Sequence, residues 1–146
     1  MKLLASLSLT IALLLPASAS TDDSVEDIYH YRSRIMENAS NHLKALQGYV
    51  KGELSIGNHI PTHVDALLKL NQIYQDLFPA GDQHPESEAL PLIWSDPRGF
   101  QSAIQHNRRK IMALKEVDPS DMKTMKRAVN DVRMSCGDCH YYFRER

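Results

Sequence analysis

Residues 122–143 read MKTMKRAVNDVRMSCGDCHYYF. Apolar or sulfur-bearing side chains stand at Met122, Met125, Val129, Val132, Cys136, Cys139 and Phe143. The steps between them alternate three and four, which keeps them in one stripe on one helical face. A stripe that narrow is the seam that bundle helices bury against one another. Asp118-Pro119 reads as the start of this helix, a capping residue followed by proline at the first helical position, and the helix runs to about Phe143. The two cysteines continue the seam, so whatever they hold replaces core side chains near one end of a bundle.

Cys136-Gly137-Asp138-Cys139-His140 contains both cysteines of the chain. CxxCH is the pattern of covalent attachment of a c-type haem. The thiols add across the two vinyl groups of the porphyrin, and the imidazole that follows ligates the iron. Positions i, i+3 and i+4 share a helical face, so Cys136, Cys139 and His140 can address one macrocycle. Three other uses of a cysteine pair fit less well. A thiol–disulfide redox centre usually follows a βαβ pattern, and none precedes Cys136. A structural zinc site needs four ligands, and there is no second CxxC or HxxxH cluster. A disulfide here would close only a four-residue loop and remove little unfolded-state entropy.

Three more helical stretches precede this one. The first spans about 24–50, with Val25, Ile28, Ile35, Leu43, Leu46 and Val50 on its apolar side and Lys51-Gly52 as its stop. Asp23 and Glu26 have capping-box spacing. The second spans about 62–77, following Pro61, with Thr62 and Asp65 as caps and Val64, Leu67, Leu68, Ile73 and Leu77 apolar. The third enters at Ser95-Asp96-Pro97, reaches about Lys115, and carries Phe100, Ile104, Ile111 and Leu114. Residues 79–95 form the longest connection, rich in proline, and read as a crossing over the end of the bundle. Sustained β alternation is absent. The expected class is all-α: an antiparallel four-helix bundle, up-down-up-down, with covalent haem near one end.

Residues 1–19 look like a cleaved leader. Lys2 is followed by an apolar run from Leu3 to Leu15 and then Ala17-Ser18-Ala19, a small-residue cleavage signature. The run is too short for an ordinary spanning helix. Residues 20–146 then make one domain with no internal repeat. Lys and Arg total 17 against 18 Asp and Glu, and losing Lys2 leaves the domain slightly acidic. A nucleic-acid binder would show the opposite balance. Nothing after residue 20 is apolar enough to span a membrane.

With these residues in view, the chain resembles the cytochrome c′ family and its low-spin relatives of the same fold. The resemblance is carried by Tyr31-Arg32-Ser33-Arg34-Ile35-Met36, by Val50-Lys51-Gly52-Glu53, by 89–97 around Trp94, and by 135–144. It implies one covalent haem c held by Cys136 and Cys139, with His140 as proximal iron ligand. It implies that Arg32 lies near the haem propionates and that Met36, one turn on, covers the sixth iron position. Arg144, one turn beyond His140, is placed near the proximal imidazole. Export to the periplasm of a Gram-negative bacterium is also implied, since c-type haem is joined outside the cytoplasm.

Met36 divides the expected functions. As an iron ligand, its thioether raises the reduction potential and suits one-electron transfer to redox partner proteins. As an apolar cover over five-coordinate iron, it suits binding of nitric oxide or carbon monoxide. A haem enzyme would need distal acid–base groups, and none stands out near Met36. The chain therefore reads as an electron carrier or gas-binding protein rather than an enzyme, with a homodimer among the family's assemblies. Of the other histidines, His59 and His63 are four apart but straddle Pro61 and read as surface residues. His42 reads as a satisfied, partly buried side chain. His30 is six from Met36 and points elsewhere. Arg108-Arg109-Lys110 reads as a solvated helix face.

Overall fold

The computed structural model describes residues 23–146. The leader expected at 1–19 lies outside the described residues. Helix α1 is Val25–Lys51, α2 is Ile60–Ile73, α3 is the single turn Leu92–Ser95, α4 is Pro97–Lys115 and α5 is Met122–Phe143. Two 3-10 turns, Gly57–His59 and Gln75–Leu77, flank α2. The four long helices close a ring in chain order, α1 on α2, α2 on α4, α4 on α5 and α5 back on α1. Short links join α1 to α2 and α4 to α5 as antiparallel neighbours, and the long connection 74–96 joins α2 to α4.

The helix boundaries follow local chemistry, in places differently from expectation. Ser24, not Asp23, caps α1: its Oγ accepts the Asp27 N–H at 3.1 Å. Val25 therefore sits on the first turn, exposed, rather than in the apolar stripe. Helix α2 begins at Ile60, so Pro61 lies inside its first turn, where a missing N–H costs nothing. Helix α4 starts as expected, with Asp96 accepting the Gly99 N–H at 3.0 Å. Helix α5 starts later than Asp118-Pro119. Asp118 folds onto its own turn by accepting from the Ser120 N–H and hydroxyl, and Asp121 becomes the cap through Thr124 N–H. Aspartate and proline signal a turn as readily as a helix start, and here two Asp residues compete for the role.

Gly52 ends α1 in the left-handed region, φ 79°, with its N–H bonded to the carbonyls of Gly48 and Tyr49. A Cβ built there meets nothing within 4 Å, so substitution is penalised by backbone conformation alone. Gly52→Ala should cost about 1–2 kcal/mol. A lowered urea midpoint at unchanged m-value would measure it.

The core divides along the bundle axis. At one end Leu46, Val64, Leu67, Ile111, Leu114, Met125, Val129 and Val132 pack in one cluster. At the other end Phe100, Phe143, Ile93 and Ile104 form a second, with Tyr74, Phe78 and Trp94 against it. The two clusters are linked by a polar chain. Asn71 Nδ2 donates to Asn107 Oδ1 at 3.0 Å and to the Ile104 carbonyl at 3.2 Å. Asn107 Nδ2 donates to Ser135 Oγ at 2.9 Å. Each of these side chains is buried, so their mutual bonds offset a desolvation cost that no water could repay.

Candidate functional site

The start of α1, the end of α2, the start of α4 and the end of α5 meet at one end of the bundle. Between them lies a cavity of about 630 Å³. All six residues singled out in the sequence, Arg32, Met36, Cys136, Cys139, His140 and Arg144, line it. The residues reach it from both ends of the chain because antiparallel packing brings the first half of α1 beside the last turns of α5. Most of the remaining wall is apolar or aromatic: Leu43, Leu67, Phe78, Ile93, Phe100, Ile104, Ile111, Val132 and Phe143.

The attachment motif sits on the last turns of α5, with both cysteines partly buried. Burial pushes the Cys139 thiol up to about 11. Burial also raises Cys136, opposed by a hydrogen bond from Asn107 Nδ2 to its sulfur at 3.4 Å. Both sulfurs are therefore protonated at neutral pH and face an apolar space. His140 is held below its ordinary value, first by desolvation and then by the Arg144 guanidinium. Its ring is thus neutral near pH 7, the form that coordinates metal. Two cysteine sulfurs one helical turn apart, a neutral imidazole beside them and an apolar cavity in front of them fit a covalently held macrocycle.

Arg32 is more constrained than its position in the sequence suggests. It is 5% exposed. One guanidinium nitrogen donates to the Leu77 carbonyl at 3.1 Å and pairs with buried Asp82; the other donates to Ser87 Oγ at 3.0 Å. Its charge lies over the Phe78 ring, 4.9 Å from the centroid, and 5.9 Å from that of Tyr29. It therefore fastens the 77–87 segment to α1. His84 extends this strap: its Nε2 lies 2.7 Å from Glu26 and its ring stacks on Tyr29 at 4.2 Å.

Arg144 lies near His140 and lines the cavity, but by a different route from the one expected. Helix α5 ends at Phe143 and Arg144 is extended, φ −132° and ψ 141°, so it is not on the helical face of His140. The backbone is captured instead by 88–90, through Leu90 N–H to the Phe143 carbonyl at 3.0 Å and Glu145 N–H to the Glu88 carbonyl at 2.7 Å. The Arg144 guanidinium pairs with Glu88 across this bridge. The long connection thus crosses the end of the bundle, as expected, and also supplies Glu86, Ser87, Glu88 and Ala89 to the cavity wall.

Several residues of the site escaped the sequence reading. Tyr74 lines the cavity, its phenol raised by burial and by the nearby Cys136 and Cys139 sulfurs. Asn71 and Asn107 carried a usable signal. Asn71 follows Leu67 by four and Asn107 follows Ile104 by three, so both are polar residues on apolar faces. Asp82 carried none, because its burial depends on a partner fifty positions away. His63, expected at the surface, is half-buried against His42, whose partly buried placement was expected. His30 faces outward and pairs with Glu26. In the basic run, Lys110 lies 3.6 Å from Asp131.

A haem-attachment motif at the end of a bundle's last helix, opening into an apolar cavity, defines a bundle cytochrome of the c type. A family model described as cytochrome C′ matches residues 27–144, and the chain belongs to that family. It is accordingly a monohaem c-type cytochrome with one covalent haem c. Its relatives include cytochrome c-554 of Cereibacter sphaeroides, 27% identical over all of this chain and 99% of that one. They also include cytochrome c′ of Alcaligenes xylosoxydans xylosoxydans, 30% identical over 83% of this chain and 95% of the relative. Among solved structures, the nitric oxide complex of a variant of cytochrome c′ from Alcaligenes xylosoxidans superposes with a TM-score of 0.76. It is 26% identical and covers 84% of this chain and 98% of that one.

Proposed function

We propose that this protein carries single electrons in the periplasm, with the haem held by thioether bonds to Cys136 and Cys139 and ligated by His140 and Met36. The observation that carries the reading is the composition of the cavity wall: His140 is its one imidazole and Met36 its one thioether. The haem supplies a ferric/ferrous couple, and an imidazole–thioether ligand pair raises its potential into the range used for electron transfer.

The chain's own residues support small reorganisation. Helix α1 presents Met36 from a packed turn between Arg32, tied to Asp82, and Leu43 against the core. Ser87 and Glu88 are fastened to Arg32 and Arg144, so the strap is held on two sides. The guanidinium of Arg32 is occupied by Leu77, Asp82 and Ser87, which argues against a distal acid–base role of the peroxidase kind. Among the described residues no helix is long and apolar enough to cross a membrane. The apolar run Leu3–Leu15 followed by Ala17-Ser18-Ala19, read as a leader, supports export. Redox partner proteins are its expected partners, and self-association as a homodimer is open to direct measurement by sedimentation.

The ferric protein should show a low-spin spectrum with a thioether-to-iron charge-transfer band. Met36→Ala should abolish that band and lower the reduction potential. A five-coordinate high-spin spectrum that Met36→Ala leaves unchanged would overturn the ligation. That outcome would favour the second reading, binding of nitric oxide or carbon monoxide beside Met36. The specific observation behind the second reading is the nitric oxide complex formed by a variant of the Alcaligenes relative.

A further inference from the structure

Away from the cavity, α1 and α2 present a pair of histidines to each other. His42 Nδ1 lies 2.9 Å from His63 Nδ1, the rings tilted by 60° with centroids 5.2 Å apart. Neither ring lines the haem cavity, and His42 is six residues beyond Met36, about 9 Å along the helix axis. Both rings are half-buried, which leaves a path for a small ion. The two backbones are fixed by Leu46, Val64 and Leu67, buried on the same pair of helices. Burial, and then the neighbouring His42 and His59, hold the His63 imidazole below its ordinary value. His63 therefore presents a nitrogen lone pair rather than a cation.

We propose that His42 and His63 form a divalent-cation site that clasps α1 to α2 and prefers copper(II). Metal–imidazole bonds of about 2.0–2.1 Å set at a right angle place their nitrogens about 2.9 Å apart. The two Nδ1 atoms, hydrogen-bonded at 2.9 Å in the metal-free protein, are close enough for one ion to take the place of the shared proton. Copper(II) binds nitrogen ligands most tightly among the first-row divalent metals and accepts two imidazoles in cis positions, which makes it the preferred ion. In the metal-free protein one ring donates its Nδ1 proton to the other ring. On binding, that ring carries its proton on Nε2 instead, and both Nδ1 lone pairs turn to the ion with no net proton released. Among the described residues no third histidine, cysteine or carboxylate converges to complete a cluster, so water fills the remaining positions.

The test uses the haem-loaded protein and copper(II) alone. Titration calorimetry should give one saturable site, with zinc and nickel weaker. Copper-edge X-ray absorption should count two imidazoles on the unsubstituted protein. Losing an outer-shell partner already costs about 10- to 100-fold in metal affinity, so His42→Gln and His63→Gln should each weaken binding by at least about tenfold. His106→Gln, as a control, should bind like the parent. Full copper binding in both helix variants, loss of binding in the His106 variant instead, or no saturable one-to-one binding at millimolar copper would overturn the site. The outcome is independent of how the iron is ligated, because the haem spectrum reports Met36 and the copper edge reports this pair.

Discussion

Alanine at both Cys136 and Cys139 is expected to abolish covalent haem retention: acid acetone should strip all the haem from the double variant and none from the parent. Each single variant should keep its haem through the other thioether. The consequence for folding is expected to be as large as that for cofactor binding. In the double variant the haem has no covalent tether and is held only by non-covalent contact with the cavity wall and ligation of its iron. A core void costs about 24 cal/mol per Å³, and a space of about 630 Å³ scaled that way gives on the order of 15 kcal/mol. The space is partly open to water, so this figure is an upper bound, yet it matches the whole stability of a typical domain, about 5–15 kcal/mol. Once haem leaves, Phe78, Phe100 and Phe143 lose their common neighbour, and that end of the bundle should melt before the Leu46–Val129 end. Hydrogen exchange would read this directly, as early loss of protection at the start of α1, the end of α2, the start of α4 and the last turns of α5. Uniform protection in the haem-stripped variant would refute it.

Arg32→Met should be the most damaging substitution outside the attachment motif. The Arg32 and Asp82 side chains are 6% and 1% exposed, and removing one partner of a buried ion pair costs about 3–5 kcal/mol because the other charge stays behind. Here the remaining charge is poorly served, since Asp82 Oδ1 has no hydrogen-bond partner. Arg32→Met with Asp82→Leu should recover most of the loss, since well-packed apolar pairs commonly replace buried ion pairs at little net cost. Urea denaturation of the three proteins measures both effects. A loss below about 1 kcal/mol in the single variant, the range of exposed pairs, would show that the pair does not hold the strap.

The attachment motif was legible because its chemistry is local. Cys136, Cys139 and His140 lie within five residues, and helical spacing alone puts them on one face. The four-helix architecture was legible because each apolar stripe has helical period and each stop is a local device, such as Gly52 or Asp96-Pro97. Boundaries were less legible where two caps competed, at Asp118 and Asp121. Arg144 stands beside His140 as the resemblance implied, but not on its helical face, because Glu88 and Leu90 capture the tail after Phe143.

By itself the sequence determined the helices, their buried faces and the thiol–imidazole motif, all of which depend on interactions within a few residues. Only the tertiary structure decided that Arg32 is tied to Asp82, that Asn71 and Asn107 bridge to Ser135, and that His42 meets His63. Those contacts join positions 21 to 50 apart, and their energy depends on burial and direction, which exist only once the helices have packed.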